Sequence, residues 1–170
     1  MAAVMIGRAA SIFGGKYVTL AQSYGPESRG GACKAEVIVS EDPVDYPKIR
    51  QPTTVAIMSQ EAYQKNIPSS NGGTTIIIDP DMVQEDEPYK HGRVFRVPAT
   101  RIAEQLGKRI VANMVMVGAI VALTEMVDAA AVEKAIAKYT PRGTEKLNVE
   151  AFRSGYEFAR NMLEHGMVTA

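Results

Sequence analysis

Thr74–Ile78 reads TTIII, and Asp79-Pro80 closes it. β-Branched residues are stiff at χ1 and favour extended chain, and an uncharged run of this length fits a strand buried on both faces. Asn71-Gly72-Gly73 supplies the turn that leads into it. Further upstream, Thr53–Met58 (TTVAIM) is a second short apolar strand, and Ser59-Gln60-Glu61 starts a helix carrying Ala62 and Tyr63. Downstream, Arg93–Val97 is another short strand, and Pro98 stands at the start of a helix over Ala99–Leu106. Compact apolar strands followed by helices predict an α/β domain with a mostly parallel sheet and flanking helices.

The final third is helical, with segments at Asn113–Glu125, Asp128–Lys138, and Glu145 or Asn148 to Glu164. Met114–Leu123 is apolar nearly all round, so it packs inside, against the sheet or a partner. Each of its large side chains contributes on the order of 1.5–3 kcal/mol on burial, before entropy. Met114–Leu123 is the uninterrupted apolar part of Ile110–Val127, the one candidate membrane segment, and is too short for a span, which needs about twenty residues. At the other end, Met5, Ala9, Ile12 and Phe13 recur at helical spacing over Met1–Phe13, and Gly14-Gly15 stops that helix. Lys16–Gln22 (KYVTLAQ) reads as a buried strand. Cys33–Ser40 (CKAEVIVS) reads as a strand with one wetter end. Asp42-Pro43, Tyr46-Pro47 and Pro52 break the chain between these strands and the next. No internal repeat is visible.

At 170 residues the chain is one domain, able to bury roughly two-thirds of its unfolded surface. Lysine and arginine total 19, as do aspartate and glutamate, so the formal net charge is zero. A balanced chain has no electrostatic footprint for nucleic acid or an anionic membrane. Cys33 is the single cysteine, which excludes an internal disulfide and points to a reducing compartment. With only His91 and His165 besides, the chain has too few ligands for a zinc site or an iron–sulfur cluster of its own. Met1–Phe13 lacks the basic start and long apolar run of a signal peptide, so a cytoplasmic location is expected.

The chemically richest stretch is Ser23–Gly31 (SYGPESRGG). Its glycines allow close backbone approach, and Gly30-Gly31 can aim successive N–H groups at an anion or a carbonyl. Arg29 offers a planar fork for a carboxylate or phosphate. Glu27, two positions earlier, can instead pair with Arg29 and make this an ordinary surface loop. The candidate contact residues are Ser23, Tyr24, Gly25, Pro26, Glu27, Arg29, Gly30 and Gly31, with Asn113 as a further interface candidate.

SYGPESRGG followed by ACKAEVIVSEDPVDYP resembles the gamma subunit, or gamma domain, of the 2-oxoacid:ferredoxin oxidoreductases. So do MSQEAYQK, NGGTTIIID, RIVANMVMVGAIVAL and LNVEAFRSGYEFA, in the family's order from Tyr17 to Ala159. Gly25–Gly31 (GPESRGG) looks like the 2-oxoglutarate type. The resemblance implies a complex that decarboxylates a 2-oxoacid, joins the acyl group to coenzyme A and reduces ferredoxin. It implies partner alpha and beta subunits holding thiamine diphosphate and magnesium, and a ferredoxin-like subunit holding iron–sulfur clusters. This chain itself is expected to be inactive alone, with no catalytic, cofactor or metal residues. The candidates above are then subunit-interface or coenzyme A-path residues. Two alternatives stand beside this reading: a subunit of an indolepyruvate ferredoxin oxidoreductase, and a stand-alone α/β anion-binding module.

The sequence departs from the family at its start. Members begin with a strand and a Gly-x-Gly-Gly-Gln-Gly loop ahead of the first helix, whereas Met1 falls where that helix is already under way. Every later strand looks apolar enough to be central, leaving no natural edge in its place. The single gamma-type domain, 1–170, is therefore expected to lack those two elements. In-frame upstream codons are expected to encode them.

Other conspicuous residues have plainer readings. Cys33 reads as a small half-buried strand residue. His91, in the charged stretch Glu85–Arg93, reads as a solvated loop residue, and His165 sits where a cation favours the helix dipole. Asp79 lies at the carboxyl end of a strand, where ligands of open α/β sheets collect, yet a turn-capping role is simpler. Asn113 reads as the N-cap of the Met114–Leu123 helix. The methionines read as core filling.

Overall fold

The computed structural model describes residues 1–24, 33–45, 49–67, 72–85 and 92–166. TTIII becomes the middle of a parallel sheet: β3 (Thr54–Ile57), β4 (Thr75–Ile78) and β5 (Val94–Arg96) lie in the order β3-β4-β5. Val55 pairs with Ile76, and Ile77 with Phe95. Ile76, Ile77 and Ile78 have no exposed surface. Their period of two separates the layers, since side chains alternate across a strand. Ile77 joins the main core with Phe95 and the helices, whereas Ile76 and Ile78 meet Ile57, Tyr63, Val83 and Val94. The α/β expectation holds, and helix α2 (Gln60–Asn66) follows β3 with Ser59 capping it, its side chain accepting from Ala62 N–H at 3.3 Å. β3 is an edge strand with Ala56 exposed, so it is less central than its letters suggest.

The chain begins with α1 (Ala2–Arg8), which widens into a π-helical turn, Ala9–Phe13, where Gly14 N–H donates to the Ala9 carbonyl at 3.0 Å. Met5, Ile6, Ala9 and Ala10 are buried, but Ile12 and Phe13 are exposed. Ile12 and Phe13 share the helical spacing of Met5 and Ala9 but end exposed, because a π turn holds more residues per revolution and rotates the last two outward. Gly15, at φ +67°, then reverses the chain.

Strands β1 (Tyr17–Tyr24) and β2 (Cys33–Ser40) form a separate two-stranded antiparallel ribbon. The segment expected to be a buried strand is therefore half-exposed. Only its inner face is covered, where Val18, Val37 and Val39 pack on the main core. Cys33, expected to be half-buried, is exposed, because the first residues of β2 run past the helix that supports the rest.

The remaining helices are α3 (Ala99–Gln105), α4 (Ala112–Thr124), α5 (Ala129–Tyr139) and α6 (Glu145–Glu164). A 3₁₀ turn, Arg109–Val111, runs straight into α4. Val111 therefore takes the N-cap position, and Asn113, expected there, lies half-buried in the first helical turn. α4 is buried on nearly every side, with Met114 and Met116 in the core. No helix among the described residues is long and apolar enough to cross a membrane.

α4 lies against α6 at a paired glycine contact. A Cβ on Gly118 would overlap the Phe152 carbonyl oxygen, and one on Gly155 would overlap the Val115 carbonyl oxygen. α5 is tied to α6 by a two-pronged ion pair, Arg153 Nε and Nη2 donating to Glu133 at 2.8 and 2.7 Å. That hydrogen bond, with the guanidinium charge, holds the Glu133 carboxyl below its ordinary value of 4.5. A carboxyl depressed in the folded state stabilises fully above its unfolded pKa, and the contribution is lost as pH falls through the folded value. Glu133→Gln should therefore lower the melting temperature slightly at neutral pH and close the gap to wild type below pH 4.5. An unchanging gap across that range in thermal melts would show that the pair contributes nothing pH-dependent.

Candidate functional site

The two strands of the ribbon flank the chemically rich stretch in the chain. Their register pairs Ser23 with Lys34 and Tyr24 with Cys33, so the two ends of the intervening segment stand side by side at the ribbon's tip. Of the candidates, Ser23 and Tyr24 close β1, while Gly25, Pro26, Glu27, Arg29, Gly30 and Gly31 lie outside the described residues, as does His91. Asn113 sits on α4, which packs on α1, α3 and α6, whereas the ribbon packs on α1 and the π turn. Nothing among the described residues brings Asn113 into one site with the ribbon's end.

The base of the ribbon is fixed and its far half is not covered. Lys16 Nζ reaches Glu41, just past β2, at 2.9 Å, and the Met126 carbonyl at 3.5 Å. At Gly7 the helix comes so close that a Cβ would sit 3.2 Å from Val18 Cγ1. Beyond that point Gln22, Ser23, Cys33, Lys34 and Ala35 are exposed.

The carboxyl end of the parallel sheet is a different environment. Asp79 is wholly buried, and its Oδ2 accepts from Thr100 N–H at 2.8 Å and from the Thr100 hydroxyl at 2.6 Å. Its Oδ1 accepts from Asp81 N–H at 3.1 Å. Asp79 thus closes its own turn, as expected, and also caps α3, whose N-cap position is occupied by Pro98 with no capping side chain. Arg96 grips Glu85 through Nε and Nη2 at 2.6 and 2.7 Å, and Arg101 pairs with Asp81. The guanidinium groups here are neutralised by carboxylates, so this rim is built as structure rather than as an anion site. The paired glycines were missed by sequence reasoning. Their signal was a glycine inside each of two otherwise regular helical patterns.

Among the described residues no three His, Cys, Asp or Glu side chains converge to hold a metal ion. With its single exposed cysteine, the donor set does not fit an iron–sulfur cluster.

The described residues thus form an α/β body that carries a two-stranded ribbon, with no cluster of metal-ligating side chains among them. The chain belongs to the pyruvate ferredoxin/flavodoxin oxidoreductase family, whose model matches residues 1–158. It is 44% identical over 163 residues to the 2-oxoglutarate synthase subunit KorC of Methanothermobacter marburgensis, covering 92% of this chain and 88% of that one. Its fold matches the gamma subunit of a keto/oxoacid ferredoxin oxidoreductase from Geobacter sulfurreducens with a TM-score of 0.80 and 37% identity, over 93% of this chain and 89% of that one. It also matches part of a 2-oxoglutarate:ferredoxin oxidoreductase from Magnetococcus marinus, solved with 2-oxoglutarate, coenzyme A and succinyl-CoA bound. There the TM-score is 0.85 at 19% identity, covering 94% of this chain and 28% of that one, which is a likeness of fold.

Proposed function

We propose that this chain is the gamma subunit of a 2-oxoglutarate:ferredoxin oxidoreductase. The complex oxidatively decarboxylates the 2-oxoacid, forms the acyl-CoA and passes electrons to ferredoxin. The observation that carries this reading is the 44% identity, over nearly the whole chain, to a 2-oxoglutarate synthase subunit. No observation favours the indolepyruvate or stand-alone alternatives. Thiamine diphosphate, magnesium and the clusters belong to partner subunits in this reading. This chain is inactive alone and works in the cytoplasm. Its own contribution is positional: the ribbon, anchored through Lys16, carries Arg29 and the Gly30-Gly31 backbone toward partner subunits or the coenzyme A path.

Co-expression with the thiamine-binding and ferredoxin-like subunits should yield 2-oxoglutarate- and coenzyme A-dependent reduction of ferredoxin or viologen. The purified chain alone should show neither turnover nor cluster absorbance. Turnover by the isolated chain, or a complex that prefers pyruvate, would overturn the assignment. Removing one half of a buried charge-assisted pair costs about 2–5 kcal/mol. Arg29→Ala should therefore weaken assembly or raise the apparent KM for coenzyme A. Unchanged assembly and kinetics would return the segment to ordinary surface.

A further inference from the structure

We infer that two copies of this chain pair edge to edge through β2, antiparallel, across a two-fold axis at Ala35. A two-stranded ribbon is marginal in water unless further strands or a helix support it. The near half of this ribbon rests on α1, and the far half, with Cys33, Lys34 and Ala35 exposed, has no such support among the described residues. Among the described residues β2 pairs with β1 on one side only, and its other edge is a template for another extended chain.

The charges on β2 select the occupant. Lys34 and Glu36 point to the same face and lie 2.6 Å apart. In an antiparallel pairing centred on Ala35, Lys34 of one copy stands opposite Glu36 of the other, and the two-fold repeats the match. Centring the pair on Lys34 or Glu36 instead sets like charges directly opposite, which is destabilising. Half-step registers set each charge against an uncharged residue, and a parallel pairing sets lysine on lysine. One register is therefore self-complementary, as an isologous contact requires. The same register stacks Ala35 on its own copy, where two small side chains let the strands approach without a clash.

The test is the oligomeric state of the purified chain, and of the co-expressed complex, by analytical ultracentrifugation. Lys34→Glu and Glu36→Lys should each weaken self-association about tenfold, since either makes both cross-strand pairs repulsive. The double exchange should restore it to within about threefold. Circular dichroism should show all variants folded. In a Cys33→Ser background, Ala35→Cys should give a disulfide-linked dimer under mild oxidation, because only this register brings position 35 beside itself. A chain that stays monomeric at about 0.1 mM, a double exchange no better than the single ones, or an Ala35→Cys protein that forms no crosslink would overturn the proposal. So would a complex in which a strand of a different subunit occupies the β2 edge.

Discussion

Gly155→Ala is expected to destabilise the protein by about 3 kcal/mol or more. Helix propensity alone argues the opposite, since alanine in place of a mid-helix glycine ordinarily gains up to about 1 kcal/mol. Packing decides the sign. The added Cβ would overlap the Val115 carbonyl oxygen, and Val115 Cα would stand only 2.9 Å away. Both obstacles are backbone, which no rotamer change can clear. α4 and α6 would have to separate, opening voids beside the buried Met114, Val115, Phe152 and Ala159. Gly118→Ala should behave alike, because its Cβ would meet the Phe152 carbonyl and the Tyr156 nitrogen, the latter at 2.7 Å. One helix separation accommodates both methyl groups, so the double variant should lose less than the sum of the singles. For a domain of this size the loss corresponds to a melting temperature lower by about 6–12 °C. Glu157→Ala, on the exposed side of α6, serves as the control. A Gly155→Ala protein melting within about 2 °C of wild type would show that the helices are farther apart than the structure places them.

The parallel sheet was legible in the sequence because TTIII leaves no choice of face: buried on both sides, it needs a strand on each edge and a layer above and below. The amphipathic helices were legible for the complementary reason, since Ala151, Phe152, Gly155, Ala159 and Met162 mark one stripe of α6. The ribbon was not. Val18 and Leu20 read as members of a buried run, yet Val18 packs on α1 while Leu20 is 40% exposed. Burial there depends on how far α1 extends beneath the strand, and no local pattern encodes that length. The π turn escaped for a similar reason. Its cost falls on hydrogen-bond geometry, while its letters, AASIF, suit an α-helix equally well. Asn113 was misplaced because capping letters say where a helix is able to start, while the 3₁₀ turn ahead of α4 moved the start to Val111. Of the candidate site, the sequence supplied the residue types at Ser23–Gly31 and the two flanking strands. It did not say that those strands pair into one arm, which is a tertiary fact.

Asp79→Ala is expected to cost about 2–4 kcal/mol, and its value lies in separating two roles for the end of β4. Asp79 is fully buried and accepts from Thr100 N–H, the Thr100 hydroxyl and Asp81 N–H. Alanine would leave those donors without an acceptor in a site closed to water, which costs far more than the net worth of each bond. α3 would lose its cap from outside the helix, since Pro98 has none to offer. Amide protons of α3 should then exchange faster than those of α4. Asp79→Asn keeps one oxygen but turns an NH₂ toward a donor, so it should fall between alanine and wild type. Thr100→Val removes only the hydroxyl and should cost least, about 1 kcal/mol. That order, alanine worst and Thr100→Val mildest, is what a capping residue produces. A ligand-binding carboxylate at the carboxyl end of a parallel strand would behave differently. Asp79→Asn would then leave the melting temperature of the chain near wild type while the assembled complex lost turnover. Melting curves of the chain, set beside ferredoxin reduction by the complex, distinguish the two, and a stable but inactive Asp79→Asn complex would refute the capping role.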